Sequence, residues 1–81
     1  MKIKVYGAKW CPFCVKVEEF LEEKGIEFEK IDVDKDKKSA EYVMKATNQT
    51  GIPIIEIIEN NKSEFIIGFD QEKLIKRLKI K

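Results

Sequence analysis

Histidine is missing from all 81 residues. Its absence excludes, within this chain, a Cys–His hydrolase, a His-ligated metal site and a histidine general base. Charge of one sign is not in excess either: 16 basic residues face 15 acidic ones, a net charge of +1, so no global field points toward nucleic acid. No run of eighteen apolar residues occurs and no signal-like segment precedes the alternating pattern that begins at Lys2. No membrane partner is therefore expected, and the cytoplasm is the expected location. Repeats, linkers and low-complexity tracts are lacking, and the length suits one domain over 1–81, expected as a monomer. Cysteine is scarce at two residues, yet both stand in one short motif, Cys11-Pro12-Phe13-Cys14.

The motif sits between a strand-like run and a helix-like one. Proline fits the first turn of a helix, where its missing N–H costs nothing, so Pro12 reads as the first helical residue and Cys11 as the N-cap. The backbone N–H groups of Phe13 and Cys14 then point toward the Cys11 sulfur. Those donors and the positive helix end favour thiolate over thiol. Cys14 lies one turn on, facing the same side, and at this spacing the two sulfurs can join without unwinding the helix. A stabilised thiolate is also a good leaving group when the pair's own disulfide is reduced, which makes an easily recharged carrier.

Other uses of two cysteines fare worse. A structural disulfide closing so short a loop contributes about 2 kcal/mol, against more than about 4 for a long loop. Half a zinc knuckle lacks its remaining ligands, since the site wants four Cys or His. Two inert buried cysteines would not need Pro at the helix start. The dithiol reading is the one the residues favour.

Along the chain, Ile3 and Val5 alternate with Lys2 and Lys4 over residues 2–7, giving a first strand that Gly7 ends. Phe13, Val17, Phe20 and Leu21 form an apolar stripe over 12–24, a first helix stopped by Gly25, and this periodicity turns Phe13 inward. Ile26 to Val33 reads as a second strand, parallel to the first through a strand–helix–strand unit. A second helix is expected from Lys38 to Asn48 with Ala40, Val43 and Met44 inward. Ile52 to Ile58 is a nearly unbroken isoleucine run, consistent with a central strand. Asn60-Asn61 turns into a fourth strand, Glu64 to Ile67. Asp70 then caps a last helix marked by Leu74, Ile75 and Leu78. Pro53 near the start of an interior strand signals an edge, a bulge or a cis bond. Base rates for X–Pro bonds favour trans.

The order βαβαββα, with Cys-Pro-Phe-Cys after the first strand and Gly51-Ile52-Pro53 before the third, resembles the glutaredoxin branch of the thioredoxin superfamily from Lys2 to Leu78. Gly68-Phe69 resembles the small redoxins that serve ribonucleotide reductase. The resemblance implies an α/β thioredoxin-like (glutaredoxin) fold, a four-stranded mixed sheet flanked by three helices. It implies a dithiol–disulfide oxidoreductase in which Cys11 attacks, Cys14 resolves and Pro53 is cis, with the Ile52 backbone pairing with substrate. Lys9, Trp10, Pro12, Phe13, Gly68, Phe69 and Asp70 are the further substrate-binding candidates. No bound cofactor is implied; glutathione is the possible co-substrate. Partners would be disulfide-containing proteins, with glutathione or thioredoxin reductase as electron donor. Family members usually carry Thr two before the proline, where this chain has Gly51 with Thr50 one step earlier, and a basic residue where it has Ala8. A different class, implied by some relatives, is a [2Fe–2S] carrier that bridges two protomers with glutathione.

Overall fold

The alternation at the start of the chain produces β1 (Lys2–Gly7). In the computed structural model, which describes residues 1–49 and 51–79, it is followed by α1 (Pro12–Glu23), β2 (Glu29–Asp32), α2 (Lys37–Thr47), β3 (Ile54–Glu59), β4 (Lys62–Ile67) and α3 (Gln71–Leu78). Thr50, named above as a departure from the family pattern, lies outside the described residues. The strands form one sheet in the order β2-β1-β3-β4. β1 and β2 run parallel, and the other two pairs are antiparallel. This is the mixed sheet with three helices that the element order implied.

Side-chain alternation splits the sheet into two faces. Ile3, Val5, Ile55 and Ile57 meet Val17, Phe20 and Leu21 of α1 and Leu74 of α3. On the opposite face Tyr6, Ile31 and Ile54 pack with Val43 of α2. That second layer is thin: Val43 is the buried residue of α2, Ala40 is half-buried, and Met44, expected inward, is exposed.

Three strands start away from the expected residue, each for a local reason, and the other ends shift by at most a single residue. β2 starts at Glu29 rather than Ile26 because Ile26 still serves α1. Its N–H donates to Leu21 O (2.9 Å), Gly25 N–H donates to Glu22 O (3.0 Å), and Gly25 has φ +70°, a helix-ending motif that delays the strand. β3 starts at Ile54, since Ile52 and Pro53 precede the ladder. β4 begins two residues early because the hairpin needs only Asn60 and Asn61, at φ 54° and 63°, to pair Glu59 with Lys62. Asp36 caps α2, its Oδ1 accepting from Ser39 N–H at 3.0 Å, and Asn48 ends the helix at φ 55°. Asp70 caps α3 as expected, accepting from Lys73 N–H at 3.1 Å. Among the described residues no helix is long and apolar enough to cross a membrane.

Candidate active site

β1 ends against the start of α1 through a four-residue turn in which Cys11 N–H donates to Ala8 O (3.2 Å). Cys11 is the N-cap, extended at φ −91°, and Pro12 follows as the first helical residue. Of the two amides expected to face the cap sulfur, that of Cys14 donates to Cys11 Sγ at 3.3 Å. Both cysteines are free thiols. They differ in burial: Cys11 keeps 5% of its surface exposed and Cys14 none. Burial, reinforced by the side-chain hydrogen bond with Cys11, pushes the Cys14 thiol up to about 12 against a smaller opposing backbone hydrogen bond from Ala8. Cys14 is thus held as a protonated, fully buried thiol one turn along α1 from the cap.

The register of the sheet supplies the second wall. Tyr6 pairs with Ile54, so the preceding Ile52–Pro53 segment runs beside the end of β1 from which the cysteine turn departs. The Ile52–Pro53 peptide bond is cis. Gln49 clamps the approach, its Nε2 donating to Gly51 O (3.1 Å) while its Oε1 accepts from Gly51 N–H (2.9 Å). On the other side Gly68 N–H donates to Pro53 O at 2.8 Å, which ties the loop before α3 to the proline. Trp10, exposed at its ring, donates from Nε1 to Asp34 Oδ2 (2.8 Å). Together with Ile52, Ala40 and Met44 it lines a largely apolar cleft of about 260 Å³ beside the cysteine turn.

The remaining candidates scatter. Phe13 is 56% exposed, which overturns the inward position that periodicity gave it: at the first turn of α1 the stripe passes through Cys14 instead, and Phe13 stands in solvent under Lys16 Nζ, 5.3 Å from its ring centroid. Lys9 is exposed. Phe69 turns toward the core, edge-on to Phe20 at 5.9 Å, and Asp70 is occupied in capping α3.

Two residues of the site escaped the sequence reading. Gln49 has no pattern that would reveal its clamp. Gly7 does have a signal, since glycine in a strand often marks close approach of another segment. Glu56, hidden in the isoleucine run, is 2% exposed on the α2 face, well along β3 from Pro53. Tyr6 Oη donates to its Oε1 (2.6 Å), and Tyr42 Oη (2.7 Å) and Ser63 Oγ (2.6 Å) donate to its Oε2. Burial alone would raise the Glu56 carboxyl, but these three hydroxyls, with Lys4 nearby, hold it below the usual carboxylate range. The tyrosines shift the other way: burial and then Glu56 raise Tyr6, and the bond to Glu56 followed by burial raises Tyr42. Among the described residues no group of three or more His, Cys, Asp or Glu is placed to hold a metal ion.

Against known proteins, the glutaredoxin family model matches residues 3–62. A glutaredoxin-like 8.6 kDa protein encoded in a rubredoxin operon of Clostridium pasteurianum is 35% identical over 74 residues, 91% of this chain and 93% of that one. The Archaeoglobus fulgidus glutaredoxin superposes with a TM-score of 0.79 at 29% identity, covering 95% of this chain and 85% of that one. The NrdH-redoxin of Escherichia coli, whose structure is described as explaining a thioredoxin-like activity profile, gives 0.78 at 28% identity over 96% and 95%. The chain belongs to the glutaredoxin family. It is a thiol–disulfide oxidoreductase with a Cys11/Cys14 pair at the start of its first helix.

Proposed function

We propose that the chain reduces disulfides of other proteins by a two-cysteine exchange. The Cys11 thiolate attacks one sulfur of the substrate disulfide, and the other substrate sulfur leaves with the electron pair and takes up a proton. Cys14 then gives up its proton and attacks Cys11 Sγ. The bond between Cys11 and substrate breaks, the second substrate thiol is released, and Cys11–Cys14 is left oxidised: two electrons have passed to the substrate. The backbone of Ile52 lies beside the reacting pair and suits an extended substrate segment, which it would meet through main-chain hydrogen bonds. The observation that carries this reading is the asymmetry of the pair: Cys11 is the N-cap and keeps a small exposed surface, whereas Cys14 is fully buried and donates its backbone N–H to the Cys11 sulfur.

Such a reductant acts where thiols are kept reduced, which is the cytoplasm. For recharging, two features favour a protein reductase over glutathione. Ala8 stands where the family carries a basic residue, and the cleft beside Ile52 is walled by Trp10, Ala40 and Met44, with the acidic Asp34 as the one charged residue in its lining and no basic one. The redoxin-like Gly68-Phe69 agrees with this. Coupled NADPH assays with thioredoxin reductase, and separately with glutathione and glutathione reductase, decide the donor. Faster turnover with thioredoxin reductase is expected, and efficient turnover with glutathione alone would contradict it. Cys11→Ser is expected to abolish turnover, whereas Cys14→Ser should trap substrate as a mixed disulfide on Cys11, seen by intact mass. Full activity of the Cys11 variant would refute the mechanism.

A further inference from the structure

Gly7, the last residue of β1, stands directly against the resolving cysteine. A Cβ placed on it would lie 2.7 Å from Cys14 Sγ and 3.0 Å from Cys14 Cβ, where a relaxed contact between carbon atoms needs about 3.5–4.0 Å. The backbone of neither element can retreat easily, so the Cys14 side chain is what must give. Gly7 is paired with Asp32 in β2, and its carbonyl accepts from Val33 N–H at 2.9 Å. Cys14 Cβ is fixed to the first turn of α1, whose start is set by the Cys11 cap and Pro12. The positive-φ glycines are Gly25 and Gly68, and Gly7 is not among them. What position 7 requires is therefore the missing side chain and not a special backbone conformation. The space it leaves is where the Cys14 sulfur rests.

We propose that Gly7 is a positioning residue for the disulfide chemistry, holding open the recess that keeps the resolving sulfur buried beneath Cys11. This rests on the roles given above to Cys11 and Cys14. Filling the recess would push Cys14 Sγ out of its burial and off the line along which it attacks Cys11 Sγ, while leaving the solvent-facing side of Cys11 as it is. The first attack would survive and the second would suffer.

Gly7→Ala tests this in three measurements. In a Cys11→Ser background, Cys14 of the Gly7→Ala protein should be alkylated by iodoacetamide at least ~10-fold faster than with Gly7. In the otherwise native chain, formation of the mixed disulfide should stay within about twofold, and release of the second substrate thiol should slow by ~10-fold or more. Alkylation of Cys14 and release of the second thiol both within about twofold of the parent would overturn the proposal, whatever the change in melting temperature. Should Gly7→Ala fold poorly, the same substitution in a Cys14→Ala background settles the matter. There the sulfur is gone, so its melting-temperature loss should shrink markedly, and an equal loss in both backgrounds would assign the effect to the strand and overturn the idea. Retained turnover in Cys11→Ser would instead sink the two-cysteine mechanism, so the two failures are separable.

Discussion

At Cys14 the burial that hides the thiol also ties the stability of the reduced protein to alkaline pH. Its folded value, about 12, lies above the ordinary cysteine value of about 8.5, so the folded state keeps the proton where the unfolded chain releases it. The contribution is complete below about pH 8.5 and is lost as pH rises through the folded value. Denaturant melts of the reduced protein from about pH 8 to 10, below the range in which the raised Tyr6 and Tyr42 add a loss of the same sign, should show a falling midpoint, and Cys14→Ala should remove most of the slope. The motif made this pair legible in sequence: Pro12 and the strand-to-helix position gave the cap. The depth of Cys14 was not legible, because it depends on Gly7 across the turn. Phe13 misled for a related reason. A stripe read at helical spacing does not say whether Phe13 or its neighbour Cys14 faces the sheet at the first turn, and the capping of α1 gave that place to Cys14.

Among the elements, α2 depends on few anchors. Val43 supplies its buried apolar contact, and Tyr42 ties it to β3 through Glu56, the carboxylate that also receives Tyr6 from β1 and Ser63 from β4. Tyr42→Phe removes one of these bonds at a half-exposed site and should cost about 1 kcal/mol, a melting-temperature fall of roughly 4–8 °C for a domain of this size. Glu56→Ala leaves the buried Tyr6 hydroxyl unpaired, at about 1–3 kcal/mol, and also removes the acceptor of the more exposed Tyr42 and Ser63, so it should be the more damaging change in the same thermal melts. Because the folded carboxyl ionises more readily than the unfolded one, its contribution is complete above about pH 4.3 and shrinks as pH falls through its lower folded value. Acid titration followed by circular dichroism should show this loss, and Glu56→Gln should flatten it. Composition could not reveal the cluster: within Ile54–Glu59 the run of isoleucines marks a central strand correctly, and Glu56 reads there as a solvated charge. Only the neighbouring strands and α2 together disclose that its three partners converge. The hairpin, by contrast, was written locally in Asn60-Asn61, whereas the start of β2 was obscured because Ile26 is β-branched yet completes the end of α1.

For the molecule as a whole, the sheet order brings two separate stretches of chain to one end: the Cys11 turn after β1 and the cis Ile52–Pro53 segment before β3. They meet because β1 and β3 are central neighbours, so the Cys11 turn and the Ile52 backbone are fixed by the same ladder. The Glu56 network lies farther along that ladder, on the α2 face, and serves to hold the layers together. The account therefore turns on which sulfur the solvent finds first. Limiting iodoacetamide applied to the fully reduced protein at neutral pH, followed by fragmentation of the Cys11–Cys14 peptide in the mass spectrometer, reads this directly. Label on Cys11 with Cys14 essentially untouched is the predicted result; label on Cys14 first, or equally on both, would contradict it.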